Sequence, residues 1–299
     1  MGKLQHRLEY GLYRAVETAA LYLPESVLPG MADLLATLAF SALRVRRSVS
    51  LANLAAAFPG MSTEEHRALC RAAYRHFCRA MLEFFRLQRW RPEQLNRRVQ
   101  IARPELFRQC LVEHPGGVVL VSGHLGNWEP ALAYIARFVR PVTAVMRRLN
   151  NPGVDARMVA VRRRWGTELI YSRHALRGGL RALWQGRVLA MLADQDAGPG
   201  GIFVPFLGRP ASTAAGPAWL ALKSGAPLLF AACLRQPKGT FRLELVPIAD
   251  HHSDRDASRA LEAVTRRYTA ILEDFVQRYP EQYFWLHRRW KTRPPTTDP

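Results

Sequence analysis

From residue 118 onward the chain alternates short, strongly apolar runs with longer amphipathic stretches, and few folds accept that pattern. The runs are "VVLVS" (118–122), "VTAVM" (142–146), "VLAML" (188–192), "LLFAAC" (228–233) and "FRLELVPI" (241–248). Runs of this length and composition suit strands buried on both faces. Between and after them, Asp155–Trp165, Ala175–Gln185, Ala214–Lys223 and a stretch from about Ala257 to Tyr279 have helical spacing. Such alternation predicts an α/β fold with a mostly parallel sheet covered by helices. The first hundred residues read as helical instead. Ser62 with Glu65 three residues on forms a capping box, and Leu69, Tyr74, Phe77, Cys78, Met81 and Phe85 then share one apolar face. The expected organisation is a helical, membrane-associating portion over residues 1–100 and an α/β domain over 101–299.

Charge narrows the partners. Against 24 Asp+Glu stand 43 Lys+Arg, a net charge of +19, which favours an anionic membrane, an acidic protein or nucleic acid. The arginines are spread over many elements rather than gathered into a nucleic-acid-binding motif, which argues against the last. Val27–Leu43 is the best membrane segment. It sits at the lower length limit for a span, contains Pro29 and Asp33, and is followed by Arg44, Arg46 and Arg47. An interfacial helix with basic anchoring is expected, a buried core helix being the alternative. The C-terminal Trp285, His287, Arg288, Arg289, Trp290 and Lys291 suit a membrane interface or packing against the sheet. Cys70, Cys78, Cys110 and Cys233 have no CxxC spacing, so neither a zinc site nor a disulfide framework is expected.

The first strand runs into "GHLGNWE" (123–129). Ligands of open α/β sheets bind beyond the carboxyl ends of strands, where His124 falls. Gly123 and Gly126 allow tight turning, and Asn127 is the expected N-cap that puts Glu129 in the first turn of the next helix. Across such a junction His124 and Glu129 can meet: the imidazole takes a proton from a hydroxyl, the carboxylate fixes its tautomer. Backbone N–H groups at Gly126 and Asn127 are candidates for holding an oxyanion. The spacing alone is weak, because His251 and Asp256 share it; there Ser253 and Asp256 also read as a helix cap.

"GHLGNWE" resembles the His-x4-Asp/Glu block of the lysophospholipid acyltransferase superfamily, and more narrowly that of the late acyltransferases of lipid A biosynthesis. Further blocks are similar in the same order: "SVSLANLAAAFPGMSTEEHRAL", "VMRRLNNPGVD" with Arg147, "VRRRWGTELI" with Arg162, Arg164 and Gly166, the "LADQDAGPGGIFVPFLGRPAST" stretch with Asp194, Gln195, Phe206, Gly208 and Thr213, and "YFWLHRRWKTRP". Leu207 departs from the family's usual second Phe. The resemblance implies a glycerol-3-phosphate acyltransferase-like fold and transfer of a fatty acyl chain from acyl carrier protein to a hydroxyl of a lipid A precursor. It implies no metal or other cofactor, and residence at the cytoplasmic face of the cell inner membrane. The same chemistry on another glycolipid, such as a mannosylated phosphoinositide or an ornithine lipid, or with acyl-CoA as donor, is the within-class alternative; a non-catalytic basic binding module is the other.

His124 and Glu129 are the expected catalytic pair. Arg147, Arg162 and Arg164 are candidates for phosphate groups of a glycolipid, since guanidinium binds phosphate bidentately. Asp194 and Gln195 are further substrate-site candidates, Asp194 alternatively pairing with an arginine. Thr213 is expected to cap the helix after it.

Overall fold

The computed structural model describes residues 3–248 and 256–295. Seven strands, β1 (Val99–Ile101), β2 (Val118–Ser122), β3 (Val142–Met146), β4 (Thr167–Tyr171), β5 (Val188–Leu192), β8 (Leu228–Arg235) and β9 (Phe241–Pro247), form one sheet in the order β1-β9-β8-β2-β5-β3-β4. A separate hairpin pairs β6 (Ile202–Phe206) with β7 (Arg209–Thr213). The sheet is parallel except between β8 and β9, which pair antiparallel. The expected α/β class is what the chain forms. The central strands start where the apolar runs start. Two sheet strands carried no such signal: β1 has three residues and β4, "TELIY", is interrupted by Glu168, and both lie at an edge of the sheet, where burial is incomplete.

Eleven α-helices are present among the described residues. Five precede the sheet proper: α1 (Lys3–Tyr22), α2 (Leu28–Thr37), α3 (Arg47–Ala57), α4 (Thr63–Arg86) and α5 (Pro92–Arg98). The rest are α6 (Pro104–Phe107), α7 (Trp128–Phe138), α8 (Pro152–Arg164), α9 (Ala175–Trp184), α10 (Gly216–Ser224) and α11 (Ala257–Arg278). The Ser62–Glu65 capping box opens α4 as expected. The Ser253 and His251 part of the other cap lies outside the described residues, while Asp256 caps α11 through the N–H groups of Ser258 and Arg259. The N-terminal helices and the sheet share a core: Phe40, Leu54 and Tyr74 belong to the same buried cluster as Val119, Leu189 and Phe230.

Among the described residues no single helix is long and apolar enough to cross a membrane; Glu25–Ala42 and Arg47–Ala57 pass together by length and composition but are bent by 92°. The Val27–Leu43 segment is apolar on two sides. Ala32, Ala36 and Phe40 face inward, and Val27, Leu34, Leu38 and Leu43 are exposed. In its basic tail Arg44 and Arg46 are exposed, Arg46 also donating to the Leu286 carbonyl, and Arg47 lies over the Phe40 ring. The C-terminal segment turns inward at Trp285 and Arg289, both buried, while Trp290 is half-buried and Arg288 exposed.

Candidate active site

Strand register builds the site. β2 and β5 are parallel neighbours with Ser122 opposite Leu192, so His124 and Asp194 each lie two residues beyond the end of the ladder. The Ala193 N–H donates to the Ser122 carbonyl, and the next donor, the His124 N–H, meets the Asp194 carboxylate at 2.9 Å instead of a carbonyl. The other carboxylate oxygen of Asp194 lies 2.7 Å from His124 Nδ1. Gly123 makes the approach possible: a Cβ there would sit 2.7 Å from the Leu272 side chain and 3.2 Å from Asp194 Cβ.

Asp194 is buried. Burial opposes its ionisation, but the adjoining His124 ring, the His124 N–H and the Arg289 charge together hold its carboxyl below the ordinary carboxylate range. As an ionised acceptor it keeps the proton of a neutral His124 on Nδ1. Nε2 is then the basic nitrogen, and it has no partner among the described residues.

The pairing differs from the expected His124–Glu129 contact. Asn127 caps α7 as anticipated, but the helix turns Glu129 away from the imidazole. The Glu129 carboxylate receives Arg162 Nη2 at 2.6 Å, Arg162 Nε at 3.1 Å and Trp128 Nε1 at 2.9 Å. The Trp128 ring stands edge-on to His124 with centroids 4.9 Å apart, so it fills the space between the motif's histidine and its glutamate. The Arg162–Glu129 pair is nearly sealed from solvent. Burial would lower the arginine's pKa, yet the Glu129 charge and hydrogen bonds raise it overall.

Nor are the expected oxyanion donors free. The Gly126 N–H donates to the Gln282 carbonyl and the Asn127 N–H to the Cys233 carbonyl, at 2.9 and 2.8 Å. These bonds are why residue 126 is glycine. Its φ is +63°, and a Cβ would fall 2.0 Å from the Cys233 oxygen. From the other side α4 braces the same turn: His76 Nε2 donates to the Gly126 carbonyl at 2.9 Å, and Glu83 accepts from Asn127 Nδ2 at 2.7 Å while pairing with Arg235.

His124 opens onto a cavity of about 520 Å³ between α7 and the sheet. Its floor is small: Ala144 and Ala190 are cross-strand partners, and Leu120 follows on β2. Ala131, Leu132 and Ile135 of α7 form the opposite wall, with Met158 of α8 beside them. Polar groups are few; Arg147, Ser172 and Gln195 stand among them. Arg147 is exposed and has no hydrogen bond or ion pair among the described residues. Arg164, in contrast, is exposed outside the cavity lining, so only Arg162 of the α8 arginines reaches the site. Asp194 is not on the wall either; it acts on His124 from beneath. Thr213 caps no helix, since Ala215 occupies the N-cap of α10, and its hydroxyl accepts from Arg289. Cys233 lines the floor with its thiol pushed up to about 12 by burial, so it stays protonated. No group of three or more His, Cys, Asp or Glu among the described residues could hold a metal ion.

An apolar cavity closed at one end by a histidine on a buried carboxylate suits the handling of acyl chains, and comparison with known proteins agrees: the chain is an acyltransferase. It belongs to the bacterial lipid A biosynthesis acyltransferase family, whose model matches residues 3–292. It is similar to the lipid A biosynthesis lauroyltransferase of Escherichia coli K12, with 29% identity over 275 residues, 91% of this chain and 88% of that protein. The palmitoleoyltransferase of the same strain is 27% identical over 91% of this chain and 87% of its own length. The phosphatidylinositol mannoside acyltransferase of Mycolicibacterium smegmatis is 27% identical over 74% and 72%.

Proposed function

We propose that the protein transfers a fatty acyl chain from acyl carrier protein to a hydroxyl of a lipid A precursor at the cytoplasmic face of the inner membrane, with His124 as general base. The observation that carries this is the His124–Asp194 hydrogen bond, which leaves Nε2 at the apolar cavity. In the step, Nε2 takes the acceptor's hydroxyl proton as the oxygen attacks the thioester carbonyl. The tetrahedral intermediate collapses, the carbon–sulfur bond breaks, and the imidazolium returns the proton to the departing thiolate. Asp194 stabilises that imidazolium. Glu129 acts at one remove, holding Arg162 and Trp128 against the cavity. Arg147 and Gln195 are assigned to the acceptor's polar groups, Arg147 because an unpaired guanidinium beside the opening is suited to a phosphate.

Membrane attachment is supported by α1. Leu4, Leu8 and Leu12, one helical stripe, are 69%, 67% and 69% exposed. The same helix touches the cavity's rim segment, its His6 carbonyl and Glu9 carboxylate accepting from Asn151. A basic surface also suits the acidic acyl carrier protein, mainly by raising the encounter rate.

Purified protein incubated with acyl carrier protein thioesters of several chain lengths and a lipid A precursor tests the reading. Transfer that His124→Ala abolishes supports it; turnover that survives the substitution refutes it. The similarity to a phosphatidylinositol mannoside acyltransferase favours a second acceptor, and mass spectrometry of lipids from a deletion strain separates the two. Loss of one secondary acyl chain from lipid A supports the first acceptor.

A further inference from the structure

The closing segment Gln282–Thr292 straps the two loops of the His124–Asp194 pair together. On the histidine side, the Phe284 N–H donates to the His124 carbonyl at 2.9 Å and the Gln282 carbonyl takes the Gly126 N–H. On the aspartate side, the Asp196 N–H donates to His287 Nε2 at 2.9 Å, and Thr292 donates both its N–H and its hydroxyl to the Asp196 carboxylate.

Arg289 lies within this strap, 2% exposed. Its guanidinium meets only neutral acceptors: the Ser212 carbonyl and the Thr213 hydroxyl, each at 2.6 Å, with the Phe206 ring 5.2 Å away. Nε has no partner, and no carboxylate bonds the side chain among the described residues. Burying a cation so is costly unless an anion nearby compensates it. Arg187, Arg157 and Arg162 each contact a carboxylate; Arg289 does not. The hydrogen bonds hold it at the end of β7, and its chain neighbours His287 and Thr292 both bond Asp196, two residues from the buried Asp194.

We propose that Arg289 is a positioning residue for the acyl transfer: from the strap that binds both loops, its charge sets the pH at which the His124–Asp194 pair is ready to accept a proton. The proposal rests on His124 being the base. Its positive charge favours ionised Asp194, against the burial that opposes it. The other groups facing the pair are the His287 imidazole, lowered chiefly by burial, the Asp196 carboxylate, and the Tyr283 phenol, raised by burial and then by the Asp194 charge. Glu129 and Arg162 neutralise each other beyond Trp128. Removing the Arg289 charge makes a proton easier to bind anywhere on the pair, so its apparent pKa rises.

The experiment is the pH profile of kcat/KM with a lauroyl thioester of acyl carrier protein and a lipid A precursor, on the full chain in detergent. In Arg289→Met the acid limb should move to higher pH by roughly one unit, the scale for losing one charge at an effective dielectric near 20. Arg289→Lys should return the limb toward its original position even with reduced kcat. Arg289→Gln, which keeps a donor toward Ser212 and Thr213, serves if the methionine variant does not accumulate. An unmoved limb in either neutral variant overturns the proposal. So does failure of both to fold, which would make Arg289 a packing residue. Full activity in His124→Ala would instead sink the base assignment, and a lost base with an unmoved Arg289→Met limb would sink this inference alone.

Discussion

Replacing Asp194 by Asn keeps the size of the side chain and changes one atom, and the structure says what that atom does. The His124 backbone N–H, 2.9 Å from the carboxylate, is a donor whatever the pH. An asparagine must therefore turn its carbonyl oxygen to that N–H and its NH2 group to His124 Nδ1, which is 2.7 Å from the other oxygen. Facing a donor, Nδ1 becomes the acceptor and the ring proton moves to Nε2. The nitrogen that should accept the hydroxyl proton then carries one already. Loss of the correct tautomer together with its counter-charge costs about 10³- to 10⁴-fold in kcat, or roughly 4–5.5 kcal/mol of barrier. KM should change little, because Asp194 does not line the cavity. The assay is steady-state acyl transfer under saturating thioester, compared with Glu129→Gln at matched folded fraction. A fall below about tenfold in Asp194→Asn, with a far larger fall in Glu129→Gln, would refute the reasoning and return the partner's role to the motif glutamate.

Other expectations follow from the same geometry. Glu129→Gln leaves the buried Arg162 without its anion and should lower stability by about 3–5 kcal/mol; pairing it with Arg162→Met should restore part of the loss, read from chemical melts. Ala190→Leu raises the cavity floor between Ala144 and Leu120, so preference should shift to shorter acyl chains. Each excluded methylene is worth about 0.8 kcal/mol, so two should cost roughly tenfold in kcat/KM for the longer thioester. Converting Leu4, Leu8 and Leu12 to Gln should release the protein from vesicles containing anionic lipid without changing its circular dichroism, because those side chains are exposed. Burial lowers the His76 pKa to about 4 from 6.5. The unfolded ring therefore takes its proton first as pH falls: the stabilisation is present above the unfolded pKa and is lost toward the folded one. About 3 kcal/mol should disappear over that window, and His76→Gln, which can still donate to Gly126, should flatten that part of the thermal-melt profile.

Much of the architecture was legible because its signal is local. A strand such as Val118–Ser122, with neighbours on both edges, must be apolar throughout, and the sequence shows it. Ser62–Glu65 and Asn127 sit within a few residues of the N–H groups they satisfy, so their roles could be read directly. Edge strands and the C-terminal segment could not. A three-residue "VQI" has no periodicity to detect, and the aromatic-basic composition of residues 285–291 fits a bilayer surface as well as an interior. What turns the segment inward is a set of distant partners, among them Asn53, which donates to the Trp285 carbonyl, and Thr213, which accepts from Arg289.

The histidine's partner was hidden for a related reason. Two acids lie near His124 in different senses: Glu129 is five residues away along the chain, Asp194 seventy away but at the same level of the neighbouring strand. Sequence spacing ranks the first higher, and only strand order can promote the second. β5 follows β3 and β4 in the chain yet inserts between β2 and β3 in the sheet, so the apolar runs predict each strand but not that β2 and β5 are neighbours. Once they are, Ser122 opposite Leu192 leaves little freedom, because the next unpaired N–H of β2 belongs to His124 and the next side chain of β5 able to accept it belongs to Asp194. The glutamate is not thereby idle. Starting α7 at Trp128 puts Glu129 within reach of Arg162 and sets Trp128 against the imidazole edge, so a seven-residue stretch carries the proposed base, the turn that exposes it and one anchor of the cavity wall.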